Sequence, residues 1–431
     1  MSNSGAPVAV TPAPGPAKPA DTVANAPVSP AQLISGRVAI ASYYNFSNTD
    51  ADDILKMKYT VAFNARNIAN SRLSAETYIN FIHDNQHWSE IQDNVFNGLK
   101  IYSLALNYDF NENTRLLFGR KINPRLSSMG AIDGLQFEKK FGAFSVGAVA
   151  GSRPDYQDYS YNFSLFQAGA YLSHDYVKGS KTMQNSIAFV QQMNDWKTDR
   201  RFIYYQHTNT LIKNLFFMGT VEMDLYEKID SVQANTFRLS NLYLSLRYRV
   251  IKQLSFTVSY NARQNIIYFE TYKNIIEQYL DDETLQGFRF QVNASPFRNF
   301  SVGATAGYRY RPQDPNPTKN LYVYATYCRV PLIEASATAS VTILETAYQS
   351  GKIYSAGLSK DFAKGRLNAG VNYRFVTYDF FNTENTLDQN MAEVNFMWRI
   401  MKKLSCSVYY EGTFEKMNNF NRIYVNLTQR F

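Results

Sequence analysis

From Arg37 to its last residue the chain alternates apolar and polar positions with a period of two. Phe288, Phe290, Val292 and Ala294 interleave with Arg289, Gln291, Asn293 and Ser295, and Val302, Ala304, Ala306 and Tyr308 with Ser301, Gly303, Thr305 and Arg309. Further on, Ile333, Ala335, Ala337, Ala339, Val341 and Ile343 interleave with Glu334, Ser336, Thr338, Ser340 and Thr342. Successive side chains of a strand point to opposite faces, so each run predicts a strand with one apolar and one polar face. The runs are about 10 to 13 residues. A soluble strand needs only about 5 or 6, whereas a tilted strand crossing a bilayer needs about 9 to 11.

The connections alternate too. One set is short, at 111–113, 141–142, 212–214, 250–252, 296–299, 362–365 and 401–403. The other is longer and more polar, at 84–98, 124–132, 153–163, 263–287 and 378–388. Short turns on one side and long loops on the other are the asymmetry of a membrane barrel. The chain therefore reads as an all-β, transmembrane, antiparallel up-and-down β-barrel of about 18–22 strands over residues 35–431, with both ends on the short-turn side. Residues 1–34 are rich in Pro and Ala, almost uncharged and free of aromatics, and read as a disordered leader. They lack the basic and apolar regions of a secretory signal.

The final run places Ile423, Val425, Leu427 and Phe431 opposite Arg422, Tyr424, Asn426, Thr428 and Arg430, and ends on Phe. This resembles the C-terminal recognition strand of Gram-negative outer-membrane barrels. The porin-like resemblance covers residues 35–431 at the level of architecture. It implies an integral outer-membrane location, contact with outer-membrane lipid, and periplasmic N- and C-termini. Asp21-Thr22-Val23 and Asp230-Ser231-Val232 resemble the O-glycosylation acceptor of Bacteroidota, and the wealth of Tyr and Asn is similar to barrels of that group. The resemblance to TonB-dependent transporters stops at the N-terminus, where a plug domain is expected and only residues 1–34 precede the barrel.

Composition sharpens this picture. Aromatics reach 15%, with 32 Tyr and 30 Phe, while charged residues are 19% against a usual ~25%. No apolar run is long enough for a spanning helix. The net charge of +8 is scattered singly rather than clustered, which argues against nucleic acid. Two Cys, 328 and 406, read as free thiols in separate hairpins, and the four His give no nucleophilic set. His83 and His87 beside Asp84 and Glu90 make a weak metal motif, because the stretch after His83 reads as loop. No enzyme activity, catalytic residue, metal or cofactor is expected.

Candidate chemistry lies on the polar parity. Arg247, Arg263, Arg289, Arg309, Arg311, Arg374 and Arg422 fall there, with Glu222, Asp224, Glu334, Glu393 and Glu411. A wet lumen solvates such groups, whereas on a lipid face Arg or Lys costs about 2–4 kcal/mol near the midplane. Two readings stay open: the arginines bias the lumen toward anions, or they pair with acids across strands to brace the wall. In the longest loop, Phe269, Tyr272, Ile276 and Tyr279 or Leu280 recur at helical spacing, followed by Asp281, Asp282 and Glu283. This predicts a constriction in the mouth or an outer lid, or equally an extracellular helix packed on neighbouring loops; the ligand spacing of an EF-hand is missing. Arg120 and Arg125 read either as an anion-binding rim or as a solvated loop base. The functional expectation is a channel or porin for passive diffusion of small polar or anionic solutes. The alternative is a non-conducting scaffold barrel with protein partners in an envelope complex for secretion, assembly or uptake.

Overall fold

A computed structural model of the chain describes residues 33–229, 232–264, 285–312, 314–381 and 386–431. It contains β1 (Leu33–Ser47), β2 (Ile54–Arg66), β3 (Leu73–Asp84), β4 (Leu99–Asn111), β5 (Thr114–Ile122), β6 (Ala131–Phe141), β7 (Phe144–Ser152), β8 (Leu165–Lys178), β9 (Lys181–Asn194), β10 (Lys197–Asn209) and β11 (Leu215–Ile229). These are followed by β12 (Val232–Ile251), β13 (Leu254–Arg263), β14 (Leu285–Ala294), β15 (Phe300–Tyr310), β16 (Thr318–Tyr327), β17 (Ser336–Glu345), β18 (Gln349–Phe362), β19 (Leu367–Phe380), β20 (Thr386–Arg399), β21 (Leu404–Phe414) and β22 (Asn419–Arg430).

Each strand pairs antiparallel with its neighbours in sequence, and β1 pairs with β22 from Arg37↔Arg430 to Ser47↔Phe420. The 22-stranded sheet is closed, so no strand edge is left unpaired. At the seam the backbones of Gly36 and Phe431 exchange hydrogen bonds of 3.1 and 3.2 Å. A Cβ on Gly36 would lie 2.5 Å from the Phe431 ring, so only glycine lets the terminal aromatic lie there.

Leu33 and Phe431 share one rim, here the terminal rim. Its connections run from two residues (112–113, 142–143) to the 328–335 loop, while the far rim carries the 85–98, 123–130 and 153–164 loops beside short turns at 195–196 and 346–348. The short and long connections named from sequence thus fall on opposite rims, but length does not separate the rims throughout: 195–196 and 346–348 are short on the far rim, and 67–72 and 328–335 are long on the terminal rim. The 328–335 loop corrects one detail: the alternating run at Ile333–Ala335 is not strand. Pro331 offers no N–H, and Leu332 and Glu334 have φ of 70° and 50°. Glu334 sits in this turn, paired with Arg329 at 2.5 Å, and not on the wall.

Side-chain parity sorts the two faces. Leu104, Leu106, Phe118, Leu135, Phe137, Val146, Leu172 and Ile187 are all exposed on the outer face. A contiguous apolar belt of this extent matches hydrocarbon rather than water. Aromatics mark its terminal edge, among them Phe110, Phe141, Phe144, Phe362 and Trp398, as membrane-barrel girdles do. The inner face carries buried polar side chains such as Asn80, Gln136, Gln167 and Gln192.

Candidate functional site

The 123–130 loop leaves the wall between β5 and β6 and folds against its inner face. Asn123 Oδ1 accepts the Arg125 N–H at 2.8 Å, setting an Asx turn; one 3-10 turn follows over Ser127–Met129, and Gly130 ends it at φ 78°. Leu126 is fully buried and Met129 nearly so, against Ile132, Val149, Tyr171, Ala188, Val190, Phe202 and Tyr204 of β6–β10. Burying two such side chains stabilises the loop by about 1.5–3 kcal/mol each. Gly169 of β8 leaves room for it: a Cβ there would stand 3.6 Å from Met129 Sδ and 3.1 Å from the Phe189 carbonyl oxygen. Arg125 fixes the loop through a bidentate pair with Asp175 at 2.8 and 2.5 Å, Ser186 Oγ donates to the Arg125 carbonyl at 3.0 Å, and Ser127 bonds the Tyr204 hydroxyl at 3.1 Å.

Arg120 overturns both sequence readings of its segment, because it is neither a rim nor solvated. It lies on the parity of Phe118 and Ile122 and is 1% exposed. Asp133, on the corresponding parity of β6, takes it bidentately at 2.6 Å twice, and the Ile101 and Tyr159 carbonyls accept at 2.9 and 2.7 Å. The Tyr159 and Tyr161 rings lie over the guanidinium. A charge that parity alone would expose to hydrocarbon is thus neutralised and enclosed by the 153–164 loop. Arg125 departs from expectation in another way: its partners Asp175 and Glu138 lie on the inner wall.

The 153–164 loop also meets the 85–98 loop. Asn94 Nδ2 donates to Asp158 Oδ2 at 2.9 Å, and Lys100 Nζ donates to the Asp158 carbonyl at 2.6 Å. At the Asp158 carboxyl, burial opposes the charge, but hydrogen bonds from Ser160 and Asn94 and the Lys100 charge outweigh it and hold the pKa below the usual range.

Two ion-pair networks brace the inner wall. In one, Arg200 holds Glu222 and Asp224, the latter through Nε at 2.9 Å, and Arg238 reaches Asp224 at 3.1 Å. All but Arg238 are nearly inaccessible. In the other, Arg374 bridges Glu393 and Glu411, Arg422 lies 3.6 Å from Glu411 and donates to Asn45 at 3.1 Å, and Tyr409 donates to Glu411 at 2.9 Å. Arg374, Arg422, Glu222, Asp224, Glu393 and Glu411 are thus all held in cross-strand ion pairs.

The remaining arginines behave differently. Register aligns Arg263 with Leu285, Arg309 with Gly287 and Ser259 with Arg289; Arg247 aligns through Thr257 with Gln291, and Arg249 through Ser255 with Asn293. Projected on β14, the five guanidinium-bearing residues occupy positions 285, 287, 289, 291 and 293, one inner-face row after another from far rim to terminal rim. Each row advances about 6–7 Å along the strand. All five are exposed, and among the described residues none makes a side-chain hydrogen bond or ion pair. Arg249 belongs to this staircase and was missed from sequence, although it shares the parity of Arg247. Arg311 lies just past β15 at the far rim, where it has a partner.

Phe269, Tyr272, Ile276, Asp281, Asp282 and Glu283 lie outside the described residues. His87 bonds Asp84 at 2.8 Å, and among the described residues no cluster of metal-ligating side chains forms. Cys328 and Cys406 are free thiols.

No protein-family model matches the chain, and no curated protein matches it. Solved structures do share its fold. A variant of the ferric enterobactin receptor of Pseudomonas aeruginosa is 9% identical, covers 92% of this chain and 80% of its own, and superposes with a TM-score of 0.54. The translocation pore of the P pilus usher is 10% identical over 92% of this chain and 99% of its own, at 0.52. Pseudomonas aeruginosa OpdK, solved with vanillate, is 8% identical over 92% and 98%, at 0.46.

Proposed function

We propose that this chain is an integral outer-membrane barrel through which small polar or anionic solutes diffuse passively, drawn along the arginine staircase. The observation that carries this reading is the contrast among inner-face charges. Acids on the wall are consumed by Arg200, Arg238, Arg374 and Arg422, whereas Arg263, Arg309, Arg289, Arg247 and Arg249 stay exposed in consecutive rows. An unbroken row of unpaired cations inside low-dielectric walls concentrates anions along its length. The apolar belt and aromatic girdle support the membrane location. On this reading the 123–130 loop, fixed to β6–β10, narrows the lumen on the side of those strands.

The buried Leu126–Met129 packing favours a second reading, in which a partly filled barrel acts as a scaffold in an envelope complex. Single-channel recording of the refolded protein in a planar bilayer under a salt gradient decides. Steady conductance steps with a reversal potential on the anion side support the channel. A barrel that stays folded on gels yet is electrically silent overturns it in favour of the scaffold.

A further inference from the structure

The two rims carry opposite charge. Connections at the terminal rim hold nine Lys and Arg against two acids, Glu112 and Glu334, and Glu334 is already paired. Among the described residues of the far-rim connections the balance reverses, to ten Asp and Glu against four Lys and Arg. At the terminal rim the cations do not stand alone. Exposed apolar side chains adjoin them in sequence: Ile212 precedes Lys213, Phe297 precedes Arg298, and Met401 precedes Lys402 and Lys403. Two more lysines lie on the outer parity itself, with Lys139 Nζ 5.2 Å from the Phe141 ring centre and Lys360 Nζ 5.4 Å from that of Phe362.

We propose that the terminal rim is a binding surface for anionic phospholipid headgroups, the cations engaging phosphate while the neighbouring apolar side chains enter the acyl region. This rests on the membrane reading above. A soluble acidic protein would satisfy the charge but would leave Ile212, Phe297 and Met401 in water. A lipid interface satisfies both, because long cationic side chains lie along apolar surface and present their heads at headgroup depth. The outer-parity lysines over aromatic rings point the same way, since they face the bilayer rather than the compartment beneath it.

Trp398 supplies a reporter. It is exposed on the outer face at the end of β20, and Arg399 N bonds the Arg366 carbonyl at 2.7 Å, so it stands beside both the 363–366 and 400–403 turns. With Trp88 and Trp196 replaced by Phe, the full chain is reconstituted into vesicles containing brominated phosphatidylglycerol or brominated phosphatidylcholine at equal mole fraction. Trp398 should be quenched with roughly a fivefold preference for phosphatidylglycerol, the scale of one engaged basic side chain near an anionic surface. The preference should vanish in molar salt and in a variant carrying Lys364→Gln, Arg366→Gln, Lys402→Gln and Lys403→Gln. Equal quenching by the two lipids, or a preference indifferent to that variant, overturns the proposal, whether or not the rim captures a polyglutamate peptide. Absence of quenching by either lipid instead defeats the membrane reading itself.

Discussion

Arg125 and Asp175 are joined by two hydrogen bonds although one sits in the loop after β5 and the other near the end of β8. That pair holds an inward-folded loop to the barrel wall. Replacing Arg125 with Met should therefore loosen the 123–130 segment without opening the barrel. Asp175 is more than a third exposed, so solvent screening reduces the cost to about 1 kcal/mol. Hydrogen exchange of the 123–130 amides should accelerate, and unit conductance should rise; unchanged exchange would show that the apolar contacts alone hold the loop.

Leu126 is the apolar half of the same attachment. Leu126→Ala should cost about 2–4 kcal/mol, because the pocket among Val149, Val190 and Phe202 belongs to a rigid sheet that closes poorly around a void. The midpoint of the heat-induced gel-mobility shift measures this, and a change below that of a surface substitution would contradict it.

The staircase predicts selectivity. Arg289→Gln with Arg309→Gln removes two adjacent steps and should lower the anion-to-cation permeability ratio by roughly fivefold, the effect of about 1 kcal/mol of lost attraction in a hydrated site. Arg374→Gln with Glu393→Gln, which removes a cation together with its paired acid, should move the reversal potential far less. Equal effects would argue that the unpaired row does not set selectivity.

Arg120 and Asp133 should be unforgiving. Arg120→Met leaves a carboxylate 9% exposed without its partner, and loss of one member of a buried pair costs about 3–5 kcal/mol. The double replacement Arg120→Met with Asp133→Leu should recover most of that loss. A thermal-unfolding comparison of the three variants checks the coupling.

Acid should loosen the contact between the 85–98 and 153–164 loops. The Asp158 carboxyl has a folded pKa below its unfolded value, so its contribution is present above about pH 3.9 and is lost as pH falls through the folded pKa. Proteolytic susceptibility of residues 153–164 should be flat from neutrality to about pH 4 and rise below it with an acid-stable protease. Asp158→Asn should show no such step.

Period two made the wall legible. In a closed barrel, face is parity, so alternation alone sets Arg289 and Arg309 on the face opposite Phe288 and Tyr308. Three things were not legible for physical reasons. The 123–130 loop folds inward onto partners supplied by three later strands, Asp175 of β8, Ser186 of β9 and Tyr204 of β10, a convergence that no local pattern encodes. Leu126 and Met129, two buried-type side chains in a polar connection, were the available signal. Arg120 follows the apolar parity of Phe118 and Ile122, so alternation marks it as an anomaly without naming Asp133. Which arginines are spent on ion pairs and which stay exposed depends on cross-strand neighbours, as Arg374 and Arg289 show. Irregular register also hides parity: a shift between Glu222 and Met223 separates the inner positions Arg238 and Ser240 from the inner positions Ser245 and Arg247.

The seam between β1 and β22 can also be counted in seconds. Asn45 and Arg422, hydrogen-bonded across it, stand 377 positions apart. At the ~5–20 residues per second of protein synthesis, the partner of Asn45 appears on the order of 20 to 80 s later. Throughout that interval β1 has an unsatisfied backbone edge, the template on which aggregates grow. A cell that makes this barrel must keep that edge shielded for at least as long as it takes to write the last strand.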